Sequence, residues 1–397
     1  MKKIAVAVTA ACLASSVAVA GGHAKSVKLG IALGFTGPAE SLAEPMARGA
    51  ELAIKEVNES GALLDNAQIE VVRADSTCVD ASAASAAAER LISSENVDAV
   101  IGGLCSGATI SMLQNVAMPK GVVLFSPSAT SPALSTLEDN GLFFRASPSD
   151  ARQGQIISEI LKEKGFDSIA MTYTNNDYGK GLADAIQSNF EAAGGTVTIN
   201  TPHEDGKGDY GAEVGALAQA GGDILVVVGY LDQGGKGIIQ SSLDAGAFDQ
   251  FFLPDAMIGD SLVQAIGEDL NGAIGSVPGT DSEGAATFTQ MAEADGFEAG
   301  PYSPESYDAA ALTLLAMQAA NSKDSSAFKD TVFDVANAPG EKIFPGELAK
   351  ALQILKDGGE IDYVGATAVE LIGGGESAGS YREILIDGGE ITTVQFR

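Results

Sequence analysis

Two segments of the sequence place small hydroxyl-bearing residues where a β-strand is expected to end and a helix to begin. The apolar run Val97–Ile101 leads into Gly-Gly-Leu-Cys-Ser-Gly-Ala-Thr at 102–109, and Val122–Phe125 leads into Ser-Pro-Ser-Ala-Thr-Ser-Pro at 126–132. Backbone N–H groups at the start of a helix are unpaired and lie at the positive end of its dipole. Such a junction therefore suits a carboxylate.

A counter-charge for this anion site could come from Asp255, which follows the short apolar run Phe251–Leu253. A zwitterion needs an anion site and an opposite charge close together, because burying either end unpaired costs several kcal/mol. The hydroxyls of Ser106 and Thr130 would supply donors for the carboxylate. Purely structural interpretations stay open, with Ser106 and Asp255 as caps and Tyr230 as a packing residue between lobes.

The sequence carries few of the patterns that enzymes and metal sites require. Its histidines are His23 and His203, and His203 lies in a polar segment where an exposed side chain is expected. The segment Gly206–Gly211 fits Gly-x-Gly-x-x-Gly, but five residues separate it from the preceding predicted strand, whereas a dinucleotide loop follows its strand directly. We therefore expect no catalytic residues, no metal and no cofactor, with an oxidoreductase as the less favoured alternative.

The net charge of −30, from 53 acidic and 23 basic residues, argues against nucleic acid and anionic lipid as partners. Lys2 and Lys3 precede an apolar run from Ile4 to Ala20 with small residues at its end, which predicts a secretory signal peptide over residues 1–24. We accordingly expect a periplasmic protein. A lipid anchor at Cys12 is the alternative.

Two cysteines, Cys78 and Cys105, remain after the predicted signal peptide. An even number in an exported chain favours one disulfide bond over two unpaired buried thiols.

Short β-rich runs alternate with helical patterns along the chain, which predicts parallel sheets with helices on both faces. About 370 residues exceed what one compact core usually contains, so two α/β lobes are expected. The predicted strands are Val27–Leu33, Ile69–Arg73, Val97–Ile101, Val122–Phe125, Ser168–Tyr173, Thr196–Asn200, Ile224–Val228 and Phe251–Leu253, followed by a hairpin over Tyr381–Arg397.

The pattern breaks near Phe144–Asp150 and again at Gly275–Gly284. These breaks suggest that the chain crosses between the lobes. The predicted N-terminal lobe comprises residues 25–144 plus 276–378, and the predicted C-terminal lobe comprises residues 145–275 plus 379–397.

An ordered series of motifs resembles the leucine/isoleucine/valine-binding protein family, the periplasmic receptors of branched-chain amino-acid ABC importers. The matching segments are Gly34–Ala39, Gly49–Ala53, Glu56–Gly61, Asp75, Cys78, Leu104–Ser106, Ser126–Thr130, Asn176–Gly181, Gly229–Tyr230 and Tyr307–Ala309. The resemblance implies a class I periplasmic-binding-protein fold with three crossings at the hinge, a Cys78–Cys105 disulfide and no enzymatic activity.

The resemblance also implies a set of ligand-binding residues. In the first lobe, Ser106, Ser128 and Thr130 would hold the α-carboxylate and ammonium, with Ala129 in the same loop. Tyr230 and Asp255 would close onto the ligand from the second lobe. Asp255 occupies a position where the family often has glutamate.

Three further residues complete the implied set. Leu42 occupies a position where founding members have tryptophan, and Tyr302 aligns with an aromatic of the side-chain pocket. For Tyr178 packing within the second lobe is the favoured interpretation, with ligand contact as the alternative.

The predicted function is therefore the binding of a small aliphatic or branched-chain amino acid between two closing lobes, for delivery to an inner-membrane permease. An amide, urea or another small carboxylate is the alternative ligand. We expect a monomer.

Overall fold

The structure is a computed structural model that describes residues 26–397, so the predicted signal peptide lies outside the described residues. The strands are β1 Ser26–Leu33, β2 Gln68–Asp75, β3 Ala99–Gly102, β4 Val123–Ser126, β5 Phe143–Arg145, β6 Ser168–Thr174, β7 Thr196–His203, β8 Ile224–Val228, β9 Phe251–Leu253, β10 Ile274–Pro278, β11 Glu341–Ile343, β12 Ile361–Tyr363, β13 Leu371–Ile372, β14 Glu376–Ser377, β15 Tyr381–Asp387 and β16 Glu390–Phe396. The helices are α1 Glu40–Ser60, α2 Ala81–Glu89, α3 Ser106–Met112, α4 Met118–Lys120, α5 Asp150–Glu163, α6 Asp177–Ala192, α7 Gly211–Ala220, α8 Gly234–Ala245, α9 Asp260–Ile266, α10 Glu283–Ala294, α11 Ser303–Ala319, α12 Ser325–Phe328, α13 Val332–Ala336 and α14 Leu348–Lys356.

Two seven-stranded sheets form the centres of two lobes. The first has the order β2-β1-β3-β4-β5-β14-β13 and the second has the order β7-β6-β8-β9-β10-β15-β16. The first five strands in each order run parallel. The strand order reverses between β1 and β3 and between β6 and β8, so right-handed crossovers place helices on both faces of each sheet. The predicted two-lobe α/β fold is confirmed.

The chain passes between the two sheets after β5, after β10 and after β14. Strand β5 includes Arg145 and strand β10 continues to Pro278. Strand β5 therefore ends one residue beyond the predicted boundary at residue 144, and β10 ends three residues beyond the predicted boundary at residue 275. Otherwise the residue bounds of the lobes remain a prediction.

All eight predicted strands and the predicted terminal hairpin, β15 and β16, are present. Strand β7, in which Thr alternates with Val197 and Ile199, lies at an edge of the second sheet. Helix α1 begins at Glu40, so Pro45 lies inside the helix, beyond its first turn. The carbonyl of Ser41, which lies four residues before Pro45, is left without its usual helical donor, and Ser41 is exposed to solvent.

His203 is buried, contrary to the expectation of an exposed side chain. It ends β7 with 1% of its surface exposed, and its Nδ1 lies 2.9 Å from the Thr172 hydroxyl oxygen. Burial lowers the pKa of His203 to about 4, so the ring is neutral at pH 7. The Gly206–Gly211 segment follows this edge strand and not the β6/β8 reversal where a dinucleotide would bind.

Helix α1 packs against α11 through a glycine. A Cβ atom at Gly49 would lie only 2.2 Å from the carbonyl oxygen of Ser303, the first residue of α11. Gly49 thus allows the close approach that fixes the start of α11 and the neighbouring Tyr302.

A disulfide bond joins Cys78 and Cys105, with 5.1 Å between the Cα atoms. Cys78 lies in the loop after β2, and Cys105 precedes α3. The predicted pairing is confirmed, and it ties together two loops at the carboxyl edge of the first sheet.

Removal of this bond should destabilise the protein. The closed loop spans 27 positions, so the double variant Cys78→Ser/Cys105→Ser should lose about 3.5 kcal/mol of unfolding free energy, because its unfolded chain gains the freedom that the cross-link removed. Denaturant titrations of the oxidised parent and the variant give this difference. Equal midpoints and slopes would contradict it.

Arg145 makes a buried ion pair at the first crossing. Its Nη2 donates to a carboxylate oxygen of Glu376 on β14, and the Arg145 side chain has no appreciable exposure. Its Nη1 donates to the carbonyl oxygens of Ala129 and Ser131, each at 3.0 Å. Arg145 therefore fixes the loop that follows β4.

Removing the negative charge of Glu376 should lower the stability of the protein. Glu376→Gln leaves the guanidinium buried without its counter-charge, so the free energy of unfolding should fall by about 3 kcal/mol or more. Glu390→Gln is the matched control, because Glu390 is exposed and forms no ion pair among the residues described, and should change stability by less than about 0.5 kcal/mol. Equal small losses in both variants, measured by urea unfolding, would contradict the prediction.

Candidate ligand-binding site

A small closed cavity lies between the two lobes. Seven of the nine predicted ligand-binding residues line it, together with three neighbours. The lining residues are Leu42, Leu104, Cys105, Ser106, Ser128 and Tyr302 from the first lobe and Tyr178, Tyr230, Asp255 and Ala256 from the second. Parallel strands bring these residues together, because the loops after β3, β4, β8 and β9 all leave the carboxyl edges of their sheets.

The loop after β4 is held by its own hydroxyl groups. The Ser126 hydroxyl oxygen accepts from the backbone N–H groups of Ser128 at 3.2 Å and Ala129 at 2.9 Å. The Ser106 hydroxyl oxygen accepts from the N–H of Ser131 at 3.1 Å. These three backbone donors were expected to be open to a carboxylate, but the loop already uses them.

The two predicted residues that do not line the cavity, Ala129 and Thr130, are buried directly behind it. The carbonyl oxygen of Ala129 accepts from Arg145, and that of Thr130 accepts from the N–H of Asp150 at 2.9 Å. The Thr130 hydroxyl is buried and has no hydrogen-bond partner within residues 26–397. It is therefore a donor still available to a ligand.

Asp255 is the buried acid of the cavity. It opens a single 3₁₀ turn, Asp255–Met257, directly after β9, and 1% of its surface is exposed. Its carboxylate accepts from the Tyr178 hydroxyl at 2.8 Å and from the Tyr302 hydroxyl across the lobe interface. Burial raises the pKa of Asp255 and outweighs these two donors. Its side chain faces the cavity rather than capping a helix.

Tyr178 and Tyr230 form the aromatic wall of the second lobe. Their rings stack with 5.4 Å between centroids, and the Asn176 side-chain amide donates to the Tyr230 hydroxyl at 3.4 Å. Burial raises the pKa of both phenols well above the usual value, so both stay protonated and can donate. Tyr178, expected mainly to pack within its lobe, lies in the cavity as well.

The lobes are closed in this structure. Across the interface, the Ser41 N–H donates to Asp232 at 2.9 Å, and the Ser131 hydroxyl donates to the carbonyl of Asp177 at 3.0 Å. The cavity itself has a volume of about 10 Å³, enough for about one water molecule. A molecule of amino-acid size therefore enters only when the lobes part and Tyr302 leaves Asp255.

One buried acid near the cavity was not anticipated from the sequence. Asp150 is the first residue of α5, is fully buried, and has no hydrogen-bond partner for either carboxylate oxygen among the described residues. In the sequence it sits in the Ser/Pro segment that marks the first crossing. The only local signal was a helix start, which an exposed aspartate would give equally well.

Within residues 26–397, no cluster of three or more His, Cys, Asp or Glu side chains is suited to hold a metal ion. No helix there combines the length and apolar character needed to cross a membrane.

Comparison with known proteins shows which family this chain resembles in sequence. The model of the periplasmic binding protein family matches residues 26–343. A Leu/Ile/Val-binding protein homolog from Brucella melitensis is 29% identical over 336 residues, which cover 83% of this chain and 86% of that protein. The resemblance identified from the sequence motifs is therefore confirmed.

Solved structures share the fold. The branched-chain amino acid transporter substrate-binding protein LivJ from Streptococcus pneumoniae, in complex with isoleucine, superimposes with a TM-score of 0.77 at 23% identity, covering 94% of this chain and 99% of that one. A solute-binding protein of an ABC transporter from R. palustris, in complex with benzoate, gives a TM-score of 0.74 at 18% identity, covering 94% and 96%. The matched sequence, the two-lobe fold and the interlobe cavity agree: the chain belongs to the periplasmic binding protein family.

Proposed function

We propose that this protein is the substrate-binding component of an ABC importer and binds a small α-amino acid between its lobes. The observation that carries the proposal is Asp255, a buried carboxylate in the interlobe cavity that has tyrosine hydroxyls, and no cation, as its side-chain partners in the described structure. A buried carboxylate gains most from a cationic partner that arrives with the ligand.

The ammonium group of the ligand would bind at Asp255. When the lobes open, the Tyr302 hydroxyl leaves this carboxylate and its place becomes available to an N–H donor. The bond from the neutral phenol has one charged partner, whereas the bond from an ammonium group joins two opposite charges, so an ammonium group replaces the phenol favourably. Asp255 belongs to the second lobe, so its bond to a ligand held by the first lobe would also draw the lobes together.

The carboxylate end would bind on the first lobe. Ser106 and Ser128 line the cavity, and the unpartnered Thr130 hydroxyl lies behind them. The loop that carries Ser128 and Thr130 is fixed by Arg145, so its donors are pre-organised. Tyr230 would add a hydroxyl donor from the opposite lobe, which joins both lobes to one ligand.

The ligand's side chain would pack among apolar groups. Leu42, Leu104 and Tyr302 line the first-lobe side of the cavity, and Ala256 lines the other side. These groups offer contact area and few polar partners, which supports an aliphatic or branched-chain amino acid. Leu42 is smaller than the tryptophan expected from the family, so the pocket differs in shape from that of founding members.

A carboxylate that lacks an ammonium group is the second candidate ligand. The benzoate complex of the R. palustris protein supports it, because that fold matches this one. The buried Asp255 argues against it, since a second carboxylate in the same cavity would repel the first.

Family membership implies a periplasmic location. We infer that residues 1–24 direct export, that an inner-membrane permease recognises the ligand-closed form, and that the protein works as a monomer without enzymatic activity or cofactor. Ligand binding would stabilise the closed form by bridging the lobes.

A thermal-shift panel tests the ligand class. At 100 times its dissociation constant, the true ligand should add about 2.7 kcal/mol to the stability of the mature protein. We expect this from an aliphatic amino acid, and not from benzoate, urea or an amide. Stabilisation by benzoate alone would favour the second candidate, and no response to any amino acid would contradict the proposal.

A substitution at Asp255 tests whether this residue binds the ammonium group of the ligand. Asp255→Asn keeps the shape but removes the charge, and should weaken amino-acid binding by at least about 30-fold, equivalent to about 2 kcal/mol. Asp249→Asn makes the same change at an exposed position and should leave affinity unaltered. Calorimetric titration of both variants decides the matter: unchanged affinity in Asp255→Asn would mean that the ligand lacks an ammonium group at this site.

A further inference from the structure

A second buried acid, Asp150, contacts the loop after β4, because its N–H donates to the carbonyl oxygen of Thr130 at 2.9 Å, and its carboxylate lacks the partners that stabilise Asp255. Asp150 is fully buried at the start of α5, and its two carboxylate oxygens accept no hydrogen bond from the described residues. Asp255 accepts from two phenols. Two buried carboxylates close together repel each other, and the less solvated of them takes up a proton most readily.

The charged and titratable groups that interact electrostatically with Asp150 come from several elements. They are Arg145 on β5, Tyr178 on α6, Tyr230 after β8, Asp255 after β9, Tyr302 before α11 and Tyr381 on β15. The phenols stay protonated, so Arg145 is the cation of this group.

Arg145 donates no hydrogen bond to either acid, because both of its terminal nitrogens are engaged elsewhere and its buried Nε has no partner among the described residues. One terminal nitrogen donates to the carbonyls of Ala129 and Ser131, and the other donates to Ser135 and to its ion-pair partner Glu376. Burial, followed by the charge of Asp255, raises the pKa of Asp150 well above its usual value, even though the charge of Arg145 acts in the opposite direction.

Building on the proposed function, we propose that Asp150 is a proton-exchanging counter-charge of the ligand site, which releases its proton when an ammonium group binds beside Asp255. In the unliganded closed protein the pair would hold Asp255 as a carboxylate and Asp150 as a carboxylic acid. The incoming ammonium supplies the positive charge that the proton supplied before. The O–H bond of Asp150 breaks, its proton passes to solvent, and the carboxylate that remains is neutralised by the ligand.

The sign of the proton exchange separates the two ligand classes. An ammonium ligand favours the deprotonated pair, so its binding releases protons and its dissociation constant falls as pH rises. The fall is at most tenfold per pH unit and ends above the pH at which Asp150 ionises in the unliganded protein. A carboxylate without an ammonium group favours the protonated pair, so its binding takes protons up and weakens as pH rises.

Isothermal titration calorimetry measures this exchange directly. The full mature protein is titrated with the amino acid that stabilises it most, at one pH, in phosphate and in Tris, whose ionisation enthalpies differ. The difference between the observed enthalpies gives the number of protons exchanged. We expect net release of up to one proton per ligand, over at least part of the range from about pH 5.5 to 8.5.

Asp150→Asn tests the assignment to this residue. The variant keeps the shape without a titrating group, so its proton release should vanish and its affinity should lose the pH dependence of the parent. Asp249 is exposed, lies six positions before Asp255 and does not line the cavity, so Asp249→Asn should keep both the proton release and the pH dependence. Should Asp150→Asn fail to fold or bind, the measurement on the parent protein still decides.

Each outcome has a separate meaning. An amino acid that binds with no proton exchange over the whole pH range, or with uptake, overturns the role of Asp150 and leaves the proposed function intact. Undiminished release from Asp150→Asn also overturns it. Failure of every amino acid to bind overturns the proposed function itself.

Discussion

The structure depends on keeping a buried carboxylate satisfied at the junction of two lobes. Asp255 has almost no contact with solvent, and in the closed form its oxygen atoms are occupied by hydroxyl groups from both sides of the cleft. An ion in such a place is costly unless donors surround it. The two phenols meet part of that need, and a cationic ligand group would meet it better. Closure and ligand choice are therefore linked through one residue.

The rest of the site is built to hold its donors still. Arg145 pairs with Glu376 at the first crossing and binds two carbonyl groups of the loop after β4. The disulfide fixes the adjacent loop after β3. The first lobe thus presents a rigid surface, while most of the aromatic groups and the acid come from the second lobe. A hinge of three chain crossings, after β5, β10 and β14, allows the two surfaces to separate without disturbing either.

Much of this arrangement could be predicted from local patterns. Continuous apolar runs predicted the central strands, since strands covered on both faces need apolar residues on each. The alternating edge strand and the terminal hairpin also have clear local signals. Strand β5, which is Phe-Phe-Arg, and strand β10, which is Ile-Gly-Ser-Val-Pro, were missed because polar residues, Gly and Pro interrupt their short apolar runs, and both segments were interpreted as breaks in the pattern.

Single residues show where local reasoning ends. His203 was expected to be exposed because its neighbours in sequence are polar, yet packing against Thr172 and Tyr210 buries it. The backbone donors after β4 were expected to be open, yet hydroxyl groups from the same loop and the neighbouring one occupy them.

The sequence by itself determined the fold class, the disulfide pairing and most of the residues that line the cavity, because apolar periodicity and the ordered motifs are properties of neighbouring residues. Only the tertiary structure decided which of the acids are buried together. Asp150 and Asp255 are 105 positions apart, yet burial and the charge of Asp255 together raise the pKa of Asp150. Electrostatic coupling depends on the distance between two charges and on their burial, and neither can be inferred from the residues next to an aspartate in the sequence.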